Sequence, residues 1–280
     1  MVKLNKITIG MTVLALSALT PVFTHAQELE IGVLGGVTGL KQGETKISDG
    51  NNLGLSVMYM QLLNENWKIG LGGEFGFYAI SKEEQGYKDA SMAVDSENDA
   101  FEFRYNIGKY TEEIKGNYIS IPLKVQYESQ AIRNSRFSIY ASGGVKYQMY
   151  TNSKSKLELE DLKTSGYYKE WDAELHAPQS EGFGSFGNSS IERDYKLKDG
   201  FLALAELGVR YSLSKGQSLY LGVYGDYDLS ASAEKQKSLI SYKTNDVNHL
   251  KMNSMLKNED GKYAMRLFTV GVKLKYSIGL

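Results

Sequence analysis

Residues 117–150 read NYISIPLKVQYESQAIRNSRFSIYASGGVKYQMY, two alternating apolar–polar runs joined by a short polar turn. Successive side chains of a strand point to opposite faces, so a period of two gives each run one greasy and one polar face. Ile119, Ile121, Leu123, Val125 and Tyr127 share a face in the first run, with Phe137, Ile139, Ala141, Val145, Tyr147 and Met149 in the second. Lys124 and Lys146 stand mid-strand on the opposite faces. Two environments suit such a hairpin: bulk water on the charged side, or lipid on the greasy side of a barrel with a polar lumen.

The same period recurs in 28–40, 53–62, 67–80, 201–213, 218–229 and 265–278, which makes eight strands with the hairpin. The connections alternate in length. Those at Asn64–Asn66, Ser129–Ser135 and Ser214–Gln217 are short, whereas 41–52, 81–116, 151–200 and 230–263 are long. Short turns at one rim and long loops at the other are the pattern of a transmembrane barrel. Strands of ten to fourteen residues suffice to cross a bilayer at a tilt. The expected fold is therefore all-β, an eight-stranded antiparallel up-and-down transmembrane β-barrel with short periplasmic turns and long extracellular loops.

Alternation puts Glu30, Lys68, Glu74, Lys124, Lys146, Glu206, Arg210, Asp226, Lys273 and Lys275 on the inward faces. Eight strands enclose only enough space for their own side chains. Lone buried charges are costly and paired ones tolerable, so the lumen is expected to be salt-bridged and packed with Tyr118, Tyr140, Tyr220 and Tyr224. Outward rings should form two belts at headgroup depth, Trp67, Tyr127, Phe137, Tyr211 and Tyr276 at one rim and Tyr78, Tyr150, Phe201 and Tyr227 at the other. Pro122 inside a strand lacks a ladder donor, and a local bulge is expected there.

Residues 1–26 have the parts of a secretory signal peptide: Lys3 and Lys6, an apolar stretch, and Thr24-His25-Ala26 before the cut. The barrel domain is then 27–280. Removing the two leader lysines leaves 30 basic against 33 acidic residues, a balance that does not point to nucleic acid. The chain has no Cys, which excludes disulfides and thiolate chemistry. No cofactor or metal set stands out. His176, near Asp172 and Glu174, and His249 are the histidines after the leader, and both read as solvated loop residues. The acidic 95–99 run (DSEND) reads the same way.

Tyr118, Ile121, Pro122 and Leu123, followed by Ser142-Gly143-Gly144 in the next strand, resemble the strand signature of PorT-type and related small outer-membrane β-barrel proteins of Bacteroidota. The specific motif covers about 35 residues, and the last strand departs from the pattern by ending in Leu280 instead of an aromatic. The resemblance implies an eight-stranded outer-membrane barrel in a Gram-negative cell, and no single activity.

Function is expected in the long loops, since connecting segments carry binding on a rigid scaffold. Tyr167, Tyr168, Trp171, Phe183 and Phe186 are the candidate contacts for a surface protein or glycan, and outer-membrane lipid and lipopolysaccharide are the expected surroundings. Residues 101–110, alternating Phe101, Phe103, Tyr105 and Ile107, are expected to extend the wall above the membrane. The chain is thus expected to be a non-enzymatic scaffold for binding, adhesion or envelope assembly. The alternative is a narrow porin-like channel for small solutes.

Overall fold

The computed structural model describes residues 27–42, 45–46, 48–131, 135–194, 197–214, 216–229, 232–236, 238–244, 249–254 and 258–280. The leader expected at 1–26 lies outside them. In chain order the strands are β1 (Gln27–Gln42), β2 (Thr45–Lys46), β3 (Asp49–Leu62), β4 (Trp67–Val94), β5 (Ala100–Glu128), β6 (Phe137–Tyr168), β7 (Ala173–Leu175), β8 (Gly184–Asp194), β9 (Gly200–Ser214), β10 (Gln217–Asp228), β11 (Ser232–Gln236), β12 (Ile240–Tyr242), β13 (Leu250–Met252) and β14 (Asn258–Gly279).

Eight of these close a ring in the order β1-β3-β4-β5-β6-β9-β10-β14, with β14 pairing back to β1 from Glu28↔Gly279 to Gln42↔Met265. Each neighbouring pair in the ring is antiparallel. The fold is an eight-stranded antiparallel barrel. Closure leaves no strand edge at the level of the ring.

Its outer wall is apolar all the way round. Every ring strand contributes exposed side chains, among them Val33, Leu53, Leu71, Ile121, Ile139, Val209, Leu221 and Val270. Leu53 is 59% exposed and Val270 61%. An unbroken band of half-exposed aliphatic residues is costly in water and is the surface a bilayer covers. At the short-turn rim Trp67 packs on Tyr127 and Phe137 on Tyr211, with ring centroids 5.1 and 4.8 Å apart. At the far rim Tyr147 meets Phe201 at 5.0 Å. Tyr78 and Tyr150, expected in that belt, instead point inward and pack edge-on at 5.4 Å. Their even positions share the parity of the buried Ile80 and Gln148, and parity outweighs the preference of Tyr for an interface.

The bulge expected at Pro122 is absent. The β4–β5 ladder passes from Leu71↔Leu123 to Glu74↔Ser120 without a change of register, leaving Pro122 unpaired on that side and paired with Lys146 on the other. The bulge lies further along, where Lys115↔Lys154 is followed by Asn117↔Thr151. Asn152 there has φ 49°, the left-handed conformation that such an extra residue adopts. It changes which positions of β6 face outward. Below it the even positions such as Lys146 and Gln148 are buried; above it Ser153, Ser155 and Leu157 are buried, and Lys154 and Lys156 are exposed.

The connections read as long loops at 81–116 and 151–200 are mostly strand. β4 and β5 stay paired as far as Val94↔Ala100, and β6 follows β5 to Tyr167. At ~3.3 Å per residue, β4 alone reaches roughly 90 Å, about three bilayer cores. The tight turn between β4 and β5 is made by the acidic run, with Asp95 Oδ1 accepting from the backbone N–H of Glu97 and of Asp99, both at 2.9 Å. β7 and β8 return along β6, adding strands above the ring.

These extensions cross one further irregularity. Gly86, Gly108 and Asp161 lie side by side on β4, β5 and β6, each in a gap of the ladder. Gly86 has φ 64° and Asp161 φ 53°. Register is the same on both sides, Gln85↔Lys109 below and Tyr87↔Ile107 above. Buried parity is not. On β5 it passes from Tyr110, Glu112 and Ile114 below to Phe101, Phe103, Tyr105 and Ile107 above.

Glycines inside the ring seat the lumen tyrosines. A Cβ at Gly76 would come within 2.5 Å of the Tyr118 ring and 2.6 Å of the Leu53 carbonyl oxygen. Gly76→Val is therefore expected to cost about 1–3 kcal/mol by overpacking. Urea unfolding in lipid vesicles measures this, and an unchanged midpoint would mean the ring moves aside freely.

Candidate functional site

The inward-facing charges form the first candidate. All ten expected positions turn into the barrel; Arg210 is half-buried and the other nine are buried. Lys124 pairs with Glu30 at 3.0 Å. Lys146 bridges Glu74 at 3.1 Å and Asp226 at 2.7 Å, and Lys273 reaches the other oxygen of Glu74 at 2.5 Å. Lys275 meets Glu206 at 2.8 Å and lies 4.5 Å from the centroid of Tyr140. Two members are new. Glu28 and Glu128 take Lys68 at 2.8 and 2.9 Å, and Glu128 also accepts from Arg210 at 2.9 Å. Alternation carried one step further, 30 to 28 and 126 to 128, was the available signal. Among the described residues six cations now face six carboxylates. This equality, in a space that excludes bulk water, is what lets the charges remain inside.

Two small spaces lie among these charges and the rings above them. The spaces among Glu74, Lys146 and Asp226, and among Tyr118, Tyr150 and Thr269, are about 20 and 10 Å³, room for about one water each. Above the charges a layer of Leu40, Tyr78, Ile80, Ile114, Tyr118, Tyr150, Leu202 and Leu267 closes the barrel.

The second candidate is the head built by the strand extensions. Its core contains Phe101, Phe103, Tyr105, Ile107, Leu157, Leu159, Leu162, Tyr168, Phe183, Leu239, Ile240 and Tyr242. Phe101 is the hub, with ring centroids 5.0 Å from Tyr168, 5.5 Å from Phe183 and 4.9 Å from Tyr242. The β12–β13 hairpin fills the head from within. The Leu239 N–H donates to Tyr105 Oη at 2.9 Å, and Ser254 Oγ donates to Glu112 at 2.6 Å. Burial raises the Tyr105 phenol above its ordinary range, with the neighbouring Asp89 charge acting in the same direction.

The five aromatic candidates divide. Tyr168 and Phe183 are core and order the head, and Phe186 packs against that core while staying partly exposed. Trp171 stays 57% exposed while stacking on Tyr168 at 4.8 Å. Tyr167 lies under the Arg104 guanidinium at 4.6 Å and donates to Asp172 at 2.8 Å. Near them a cleft of about 530 Å³ is lined by Lys88, Arg104, Asn106, Lys163, Ser165 and His176 among others. Arg104 also reaches Glu102 at 3.2 Å and Glu174 at 3.4 Å. The Ser165 hydroxyl, 2.7 Å away, and then the Arg104 charge hold the Glu174 carboxyl below its ordinary range. His249 is stacked on Tyr242 with Glu181 3.6 Å from its Nε2, outside this cleft.

No family model and no curated protein matches this chain. Solved structures similar to it include the outer membrane protein OprG from Pseudomonas aeruginosa, 12% identical, covering 91% of this chain and 96% of that one, with a TM-score of 0.38. Another is Neisserial surface protein A, 9% identical, covering 88% and 95%, with a TM-score of 0.34. A third is the N-terminal β-barrel domain of Pseudomonas aeruginosa OprF, 11% identical over 90% and 97%, with a TM-score of 0.33.

Proposed function

We propose that this protein is an integral barrel of a Gram-negative outer membrane, non-conducting and non-enzymatic, that holds a folded head at the cell surface for binding, adhesion or envelope assembly. One observation carries the reading: three wall strands continue past the apolar band to build a packed head over a lumen filled by paired charges. A channel needs continuous water, and among the described residues the two spaces in the charged layer and under the apolar layer hold about one water each. The contact surface we assign is the cleft lined by Lys88, Asp89, Arg104 and Lys163, with Trp171 and Tyr167 on the same head, because exposed aromatic and Arg side chains over a rigid core are what binding surfaces concentrate. A surface protein or an anionic glycan fits that chemistry. Membership of the PorT-type group is part of this proposal and rests on the strand signature around Tyr118–Leu123.

The test is conductance in planar bilayers, combined with a heat-shift gel and proteolysis of intact cells. The expected result is an outer-membrane protein that migrates differently unboiled, is cut from outside in the head, and gives no current steps. Reproducible steps would return the porin-like reading. A soluble protein without a heat shift would sink the barrel itself.

A further inference from the structure

The outer wall carries a second cleft, of about 540 Å³, where the apolar band ends. Leu53 and Phe77, exposed at the upper margin of the apolar band, form its floor. Lys115, Lys154 and Lys156 form its upper side. The β6 bulge makes the cleft: Asn152 shifts the parity of the strand so that Lys154 and Lys156 leave the lumen side and point outward, one turn of the pleat above the band. A strand running on in phase would have sent both lysines inward, above a lumen whose charges are already balanced.

From this geometry we infer a binding site for the phosphorylated headgroup of an outer-leaflet glycolipid, with its acyl chains lying along Leu53 and Phe77. The inference rests on the membrane reading given above. The depth commits the occupant. Whatever fills the cleft touches exposed hydrocarbon below and three ammonium groups above, which is the polarity of a lipid and not of a soluble anion. The lysines are held only by exposed partners, Lys115 by Glu113 at 2.8 Å, Lys154 by Glu192 at 2.7 Å and Lys156 by Glu158 at 2.6 Å. Exposed pairs of this kind are weak and exchange readily for a stronger anion. A phosphate monoester brings up to two charges and acceptor oxygens that a single carboxylate does not match. Glu113, Glu192 and Glu158 match the three lysines one for one, so a phosphate enters by exchange with these carboxylates, which stay at hand to share a bridging divalent cation.

The experiment uses the full-length protein in a zwitterionic detergent, titrated with diphosphoryl lipid A and with the same lipid dephosphorylated. The phosphorylated form is expected to bind at least about tenfold more tightly, since each Lys near an anionic surface supports a several-fold effect. Lys115→Ser/Lys154→Ser/Lys156→Ser should remove that preference and leave the heat shift unchanged. Equal binding of the two lipids, or an unchanged preference in the triple variant, overturns the site. Displacement by inorganic phosphate at equal concentration also overturns it, in favour of a soluble-anion site. Loss of the heat shift in the wild-type protein would instead count against the membrane reading. The two-lipid comparison needs no variant, so a triple variant that fails to fold does not protect the inference.

Discussion

Lys146→Met is expected to lower the stability of the barrel by about 3–5 kcal/mol, the cost of removing one partner from a buried charged group. Lys146 is the bridge between Glu74 and Asp226. After the change Glu74 keeps Lys273. Asp226 keeps no cation within ion-pair distance among the described residues, and its carboxylate stays buried. A double variant, Lys146→Met/Asp226→Leu, should recover most of the loss, because apolar replacement of a whole buried pair is often neutral. Urea unfolding followed by Trp fluorescence, in parallel with the temperature of the gel shift, measures both. A loss under about 1 kcal/mol for the single change would place Lys146 in the class of exposed pairs and show that water enters the lumen.

Phe101→Ala should damage the head and spare the barrel. Removing a ring this buried costs about 3–5 kcal/mol, and here the ring touches Tyr168, Phe183 and Tyr242, which belong to three separate chain segments. The head should open locally, since among the described residues β4, β5 and β6 enter its core by their upper ends. Trypsin added to intact cells is expected to cut at Lys163, Lys169 or Arg193 much faster than in the wild type, with the heat-shifted band unchanged. If the heat shift is lost as well, head and barrel unfold as one cooperative unit and the division proposed for them is wrong.

How far the sequence led is plain at individual residues. Period-two alternation identified the ring and ten of its inward charges, because lipid outside and a packed lumen inside hold parity strictly. It stopped one residue short at Glu128, and it began the first strand at Glu28 without counting that residue among the inward charges; both stand where the apolar face gives out. It failed above Gly116. There the bulge at Asn152 and the row through Gly86, Gly108 and Asp161 change the buried face with no composition marker beyond a glycine or an Asp, residues equally at home in a turn. The loop aromatics show a different limit. Tyr168 and Phe183 are core only because the β12–β13 hairpin and the end of β5 come to them from far along the chain. The short apolar pairs Ile240/Tyr242 and Leu250/Met252 hinted at such a hairpin. Nothing local specified where it docks.

The row through Gly86, Gly108 and Asp161 is also a seam between two selective pressures. Below it, side chains on β4, β5 and β6 answer to lipid on one side and to a fixed charge balance on the other. Above it, the buried parity is reset, so the upper surface can diverge by substitution without moving any residue of the ring in or out. A lineage carrying this barrel can therefore change what its head touches rapidly while the anchoring half stays nearly constant, and variation among its relatives should fall sharply at the level of these three residues.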